Sequence, residues 1–136
     1  MQTNVSKGFR SVRLLGLIFA ILCWVRLVPL ARDLSEEAVT RFGSLTVNNR
    51  RTLEFNGRAL EPAITGNNSL SLGEPMRLGA TDVVLVRDNG GTACPYLYYF
   101  VTVSKFGAKA ASSFGTCGEI SEVRPGTKSI SVVMVR

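Results

Sequence analysis

Tyr96-Leu-Tyr-Tyr-Phe-Val-Thr-Val103 is the stretch that decides the fold class, because nearly all of its residues are β-branched or aromatic. Such residues favour a pleated, partly buried strand. Upstream, Val83-Val-Leu-Val86 is continuously apolar, which is typical of a strand covered on both faces. These two segments predict the central strands of a β domain.

Shorter segments with the same character surround these strands. From Gly43 onward apolar and polar residues alternate with a period of two, and turn residues recur at short intervals. The most definite turn is Asn56-Gly57, which predicts a hairpin with a type I′ turn because both residues accept positive φ. The pattern predicts a mainly β fold, a small antiparallel sandwich or barrel of about seven strands.

One short helix is predicted before the first strands. Leu34, Ala38 and Phe42 recur at intervals of four, as on one face of a helix. Asp33 is a candidate N-cap, and Gly43 is a candidate for the left-handed residue that ends the helix. This helix would connect the N-terminal segment to the sheet.

Residues 1–31 are predicted to form a hydrophobic leader helix. Three basic residues precede the apolar run Leu14–Val25, which is shorter than the ~20 residues of a membrane-spanning helix and is typical of a signal peptide. Extended to residues 14–31, the segment is long enough for an uncleaved inner-membrane anchor, and a buried helix of a cytoplasmic protein is the third alternative. The sequence predicts a signal peptide or anchor followed by a single β-rich domain, residues 32–136, that is periplasmic or secreted.

The net charge of +6 belongs mostly to the leader. Five of the sixteen Lys and Arg residues and none of the ten acidic residues lie in residues 1–32, so the remaining chain is close to neutral. This distribution argues against nucleic-acid binding. The absence of His excludes His-dependent nucleophilic triads and zinc sites with His ligands. No cofactor is predicted, because the chain contains no nucleotide-binding or calcium-binding motif.

Cys94 and Cys117 are the two cysteines of the predicted β domain. An even pair in a small exported domain predicts a disulfide. A redox pair would need C-x-x-C spacing, and a zinc site would need four ligands. We predict that the two cysteines join neighbouring antiparallel strands on either side of the connection 105–113.

The candidate contact surface lies on the strongest strand. Alternation places Tyr96, Tyr98 and Phe100 on one face, where an exposed aromatic row is typical of carbohydrate or protein contacts. In a two-layer sandwich, by contrast, both faces of this strand would be buried. Asp88 and Asn89, from the predicted turn Arg87–Gly91 before the strand, complete the candidate surface.

Carboxylates are the candidate groups for an enzymatic function. A hydrolase of envelope material would need two of them at catalytic separation in one cleft. The candidates are Asp82, Asp88, Glu119 and Glu122. No catalytic motif accompanies them, so the sequence predicts no catalytic residues.

Two cysteine-containing segments carry a family resemblance. Gly90-Gly-Thr-Ala-Cys-Pro95 and Phe114-Gly-Thr-Cys117 resemble segments of uncharacterised small exported β-domain proteins of Gram-negative bacteria. The resemblance covers roughly residues 45–123. It implies a periplasmic or envelope β domain in which the two cysteines are paired, and it implies no catalytic residues. Longer members of the group lead us to expect a shortened domain that stops after Val135.

These observations predict a periplasmic binding or interaction module, for instance an inhibitor- or immunity-like protein. The expected partner is another envelope protein or a cell-wall component, and not nucleic acid. A membrane-anchored structural component of the envelope is the first alternative. A carboxylate-dependent envelope hydrolase is the second.

Overall fold

The computed structural model describes residues 35–135. The predicted leader, and with it Asp33 and Leu34 of the predicted helix, lie outside the described residues. The described part is mainly β, and all its strand pairs are antiparallel. Its strands are β1 (Glu37–Thr40), β2 (Gly43–Val47), β3 (Leu53–Phe55), β4 (Arg58–Ala59), β5 (Ser69–Leu72), β6 (Met76–Leu78), β7 (Thr81–Asn89), β8 (Tyr96–Ser104), β9 (Gly107–Ala110), β10 (Phe114–Cys117), β11 (Ile120–Pro125) and β12 (Ile130–Met134).

The first sheet is a meander in which β1, β2, β3 and β4 are neighbours in chain order. Its last turn is Asn56-Gly57, where φ is 50° and 78° and Phe55 pairs with Arg58. Positive φ at both central residues is the geometry of a type I′ turn, so the predicted hairpin is confirmed. The turn supports the meander further, because the Asn56 side chain accepts a hydrogen bond from the Ser44 amide.

The second sheet is built around β7 and β8, which pair from Asp82 to Asn89. Both outer edges of this central pair are interrupted. On one side, β5 and β6 both pair with β7, and Gly73-Glu74-Pro75 separates them. On the other side, β9 and β10 both pair with β8, and residues 111–113 separate them. The two central strands are those predicted from the apolar and aromatic segments.

The core lies between the two sheets. The sheets meet where Ser35 pairs with Leu72 through two backbone hydrogen bonds of 3.0 and 2.7 Å, which gives a half-barrel. The core residues come from both sheets and from the connection 60–66. They are Ala38, Leu45, Leu53, Leu60, Ile64, Leu70, Leu72, Val84, Val86, Val101 and Val103. The predicted mainly β antiparallel fold is therefore confirmed.

The predicted helix is wrong for the residues that the structure describes, because residues 37–40 form strand β1. Ala38 and Thr40 are buried while Glu37 and Val39 are exposed, which is the alternation of a strand. An apolar spacing of four fits either structure, since four is also a multiple of two. The β-branched pair Val39-Thr40 and the hydrogen bonding to β2 favour the strand.

Two details of strand layout also differ from the prediction. The described residues contain twelve strands instead of about seven, in part because both edges of the large sheet are interrupted and in part because β1 replaces the predicted helix. The predicted turn at residues 87–91 begins later, because β7 continues to Asn89. This shift places Asp88 and Asn89 within a strand, with their side chains on opposite faces.

The hairpin β11–β12 covers part of the outer face of the large sheet, the face turned away from the core. Val123 is buried, and the methyl group of Met134 lies near Gly115 of β10. Ile130, Val132 and Met134 are half-buried while Ser131 and Val133 are exposed, which confirms the predicted alternation. This hairpin decides which outer-face residues remain accessible.

Candidate functional site

The residues of the predicted contact surface fall into three environments. Tyr96 and Asn89 are paired neighbours, half-buried on the outer face of the large sheet. Tyr98 and Phe100 lie on the same face, but Tyr98 is only 2% exposed, and Phe100 is half-buried against Phe114 with ring centroids 5.0 Å apart. Asp88 is on the core face and is buried. The structure therefore brings together Tyr96 and Asn89, and separates the others from them.

Arg87 is the charged group beside Tyr96 and Asn89. Its guanidinium carbon lies 5.2 Å from the centre of the Tyr96 ring, close enough for a cation–π interaction. Its Nε–H is buried, and no acceptor for it exists among residues 35–135. The ion pairs of the described residues involve Arg41 and Arg124, so Arg87 carries a positive charge without a carboxylate partner there.

Polar side chains of β5 complete this surface. Asn89 Nδ2 donates hydrogen bonds to Ser69 Oγ at 2.7 Å and to Ser71 Oγ at 3.2 Å. Ser69 pairs with Asn89, and Ser71 pairs with Arg87. We name Ser69, Ser71, Arg87, Asn89 and Tyr96 the Arg87 surface. All five residues are half-buried and stand on three adjacent strands.

The predicted disulfide joins Cys94 to Cys117 next to this surface. The sulfur atoms are 2.02 Å apart and the Cα atoms 4.8 Å apart. Cys117 pairs with Tyr96 across the antiparallel strands β8 and β10, so the predicted pairing and strand arrangement are both confirmed. The disulfide closes β10 onto β8 at the position where the Arg87 surface ends.

Tyr98 joins the C-terminal hairpin to the sheet. Its hydroxyl accepts a hydrogen bond from the Ile120 amide at 3.2 Å and donates one to the Gly118 carbonyl at 3.3 Å. Burial raises the pKa of Tyr98, while the Ile120 hydrogen bond and the nearby Arg87 charge oppose this increase. The phenol therefore remains neutral at physiological pH and can act as both donor and acceptor.

Asp82 is occupied by an internal partner. Its Oδ1 accepts a hydrogen bond from Arg41 Nε at 2.8 Å and lies 2.7 Å from Arg41 Nη2, and its Oδ2 accepts from the Arg41 amide at 2.8 Å. Hydrogen bonding from the Arg41 side chain holds the pKa of Asp82 below its ordinary value of 3.8, although burial acts in the opposite direction. The carboxylate thus ties the β1–β2 turn to the start of β7.

Asp88 has an equivalent structural role at the other end of the core face of β7. It accepts a hydrogen bond from the Asn67 amide at 2.9 Å, which fixes the loop before β5. Its negative charge also contributes, after burial, to raising the pKa of Tyr99. Unlike Asp82, Asp88 has no cationic partner among the described residues.

The two candidate catalytic aspartates do not form a catalytic pair. Asp82 and Asp88 are six residues apart on one strand, a distance of about 20 Å at the rise of a β-strand. Glu122 forms an ion pair with Arg124 on the hairpin, and Glu119 is exposed. Paired carboxylates of glycoside hydrolases are separated by about 5–9.5 Å, so the two aspartates do not form such a pair.

Residues 35–135 contain no cluster of three or more His, Cys, Asp or Glu side chains that could hold a metal ion. Within the same residues, no helix is sufficiently long and apolar to cross a membrane.

Sequence reasoning missed Arg87, Ser69 and Ser71 as members of the site. The available signal was the alternation in Ser69-Leu-Ser-Leu72, which places the two serines on the face opposite the core. Arg87 was assigned to a turn, and a turn residue has no defined face. Comparison with protein-family models, curated proteins and solved structures found no match to this chain.

Proposed function

We propose that this chain is an exported binding module of the cell envelope and that it contacts its partner through the Arg87 surface. The partner is an envelope protein or a cell-wall component that presents a carboxylate or another acidic group. Inhibitor-like or immunity-like binding to an envelope enzyme is one form of this function. The proposed module is not an enzyme.

The unpaired charge of Arg87 is the observation that carries this proposal. A partly buried guanidinium usually has an acidic partner, because removing a charge from water is costly when nothing compensates it. Arg87 has neither a carboxylate partner nor an acceptor for Nε among residues 35–135. An acidic group brought by a partner would provide the missing interaction.

The surroundings of Arg87 fit a contact surface of this kind. Tyr and Arg are enriched among the residues that contribute most to protein interfaces, and here Tyr96 and Arg87 are in contact. The hydroxyls of Ser69 and Ser71 and the Asn89 amide add hydrogen-bonding groups around them. Because the surface stands on paired strands, its side chains are already ordered before binding, which lowers the entropic cost of association.

Export is the second part of the proposal. The disulfide is compatible with an oxidising extracellular compartment, and the basic and apolar leader is typical of a signal peptide. We place the domain in the periplasm or outside the cell. Retention in the inner membrane through residues 14–31 is the alternative arrangement of the same module.

Capture from envelope extract tests the surface. Arg87→Met keeps an unbranched apolar side chain at this position but removes the guanidinium group and its charge. The tagged wild-type chain should capture a specific partner from periplasmic extract, and R87M should retain less than about a tenth of it, since a charge-assisted contact contributes about 1.5–3 kcal/mol. Mass spectrometry identifies the partner, and quantitative blotting measures the ratio.

Arg58→Met is the matched control, because Arg58 is an exposed arginine on β4 of the other sheet. R58M should capture as much partner as the wild type, and thermal unfolding should show that both variants are folded. Equal capture by R87M and the wild type would contradict the proposed surface. An equal loss of captured partner from R87M and R58M would indicate a general effect of charge, and it would also contradict the proposed surface.

A further inference from the structure

Phe106 is the most exposed large hydrophobic residue of the described chain, at 89%. It stands at the tip of the tight β8–β9 hairpin, where Ser104 pairs with Gly107 across only two residues. The Phe106 amide donates a hydrogen bond to Ser104 Oγ at 3.1 Å, and Gly107 takes a positive φ of 119° as the chain enters β9. The aromatic ring is therefore presented to solvent by an ordered turn.

Two lysines lie on the same hairpin as this ring. Lys105 Nζ lies 4.9 Å from the centre of the Phe106 ring, and Lys109 is exposed on the adjoining strand. Neither lysine has a carboxylate partner among residues 35–135. A shallow groove beside the tip contains one acidic residue, Glu61, in its lining. The tip therefore combines an exposed aromatic ring with net positive charge.

We infer that this hairpin tip inserts Phe106 into the surface of an anionic lipid bilayer. Aromatic rings are favoured at the depth of the lipid headgroups, and lysines beside them direct their ammonium groups to the headgroup charges. A single ring and two lysines form a contact too small for a stable protein interface. The positive charge of the lysines is complementary to anionic lipid headgroups, so we take the bilayer as the occupant. The contact is weak and reversible, and it orients an envelope domain on the membrane.

A local fluorescence probe tests this inference on the full chain. The only Trp is Trp24 in the leader, so Trp24→Phe together with Phe106→Trp leaves one reporter at the tip. The chain is reconstituted into phosphatidylglycerol vesicles or into neutral phosphatidylcholine vesicles. The emission of the tip Trp should shift to shorter wavelength, and brominated acyl chains should quench it, in the anionic vesicles but not in the neutral ones.

Two comparisons make the test specific. Adding Lys105→Gln and Lys109→Gln should weaken the interaction about fivefold for each charge removed, measured as the proportion of phosphatidylglycerol needed for half of the shift. A Trp replacing Asn49, an exposed residue of the β2–β3 turn in the first sheet, should keep the emission of a solvent-exposed indole in both vesicles.

Each remaining outcome overturns the inference. If the emission of the tip Trp does not shift in anionic vesicles, insertion of the tip is excluded. Equal shifts in anionic and neutral vesicles exclude recognition of anionic lipid, and equal shifts for the probes at positions 106 and 49 exclude a specific tip. The readout is local to the hairpin, so insertion of the leader into the vesicles does not imitate it.

Discussion

Removal of the Cys94–Cys117 disulfide, by C94S or C117S, is expected to lower the free energy of unfolding by about 2–5 kcal/mol. The disulfide closes a loop across a sequence separation of 23 residues and holds β10 against β8. β10 depends on it because its pairing is irregular between Phe114 and Cys117, and because Cys117 itself has a positive φ of 64°. Denaturant unfolding under oxidising conditions measures the loss.

The double variant C94S/C117S serves as the control for the single variants. It should lose about as much stability as either of them, since each single change already removes the whole bond. In the unreduced wild-type protein, thiol labelling after unfolding should modify neither Cys94 nor Cys117, as mapped by mass spectrometry. Labelling of both, or a stability loss below about 1 kcal/mol, would show that the disulfide does not stabilise this fold.

The second large effect is expected at the Asp82–Arg41 pair. Asp82→Asn removes the charge of a side chain that is 6% exposed and that receives hydrogen bonds from both the backbone and the side chain of Arg41. We expect a loss of about 3 kcal/mol in the free energy of unfolding, because a buried charge-assisted network loses its negative charge and one of its two acceptor oxygens. Chemical denaturation at neutral pH measures it.

The same pair predicts a pH dependence of stability. Hydrogen bonding to Arg41 lowers the pKa of Asp82 in the folded state, so folding favours the ionised form. The stabilisation is fully present above the unfolded-state pKa of 3.8 and is lost as the pH falls through the lower folded-state value. As the pH is lowered from about 5 to below the folded-state pKa of Asp82, the free energy of unfolding should therefore fall less for D82N than for the wild type.

Asp88→Asn is the matched control for this substitution. Asp88 is on the same strand and the same face and is also buried, but it accepts a single backbone hydrogen bond from Asn67, which an Asn side chain can also accept. D88N should cost less than about 1 kcal/mol. Equal losses for D82N and D88N, or identical pH profiles for D82N and the wild type, would contradict the role given to Arg41.

The central strands were predictable because their residue types favour a strand. β8 is rich in β-branched and aromatic residues, and it alternates so that Val101 and Val103 are fully buried, as strand periodicity requires. Asn56-Gly57 was predictable for a local reason, since few other pairs of residues accept two positive φ angles. The disulfide followed from the number and spacing of the cysteines.

Features that depend on tertiary contacts were not predictable. The apolar spacing of Ala38 and Phe42 suits a helix, and only hydrogen bonding to β2 makes this segment a strand. Tyr98 shares the outer face with the half-buried Tyr96 and Phe100, yet it is buried because the distant hairpin β11–β12 covers it. Arg87 belongs to the site through its position across from Tyr98 and beside Tyr96, and no local sequence pattern encodes that position.

Photo-cross-linking at Tyr96 in living cells tests the central claim most directly. The full chain is produced with benzoylphenylalanine in place of Tyr96, or in place of Val133, which is 46% exposed on the C-terminal hairpin. We predict that the probe at position 96 gives one discrete cross-linked product, that R87M abolishes it, and that the probe at position 133 does not give it. A product of the same mass from both positions, or one that R87M leaves unchanged, would contradict the proposed binding surface.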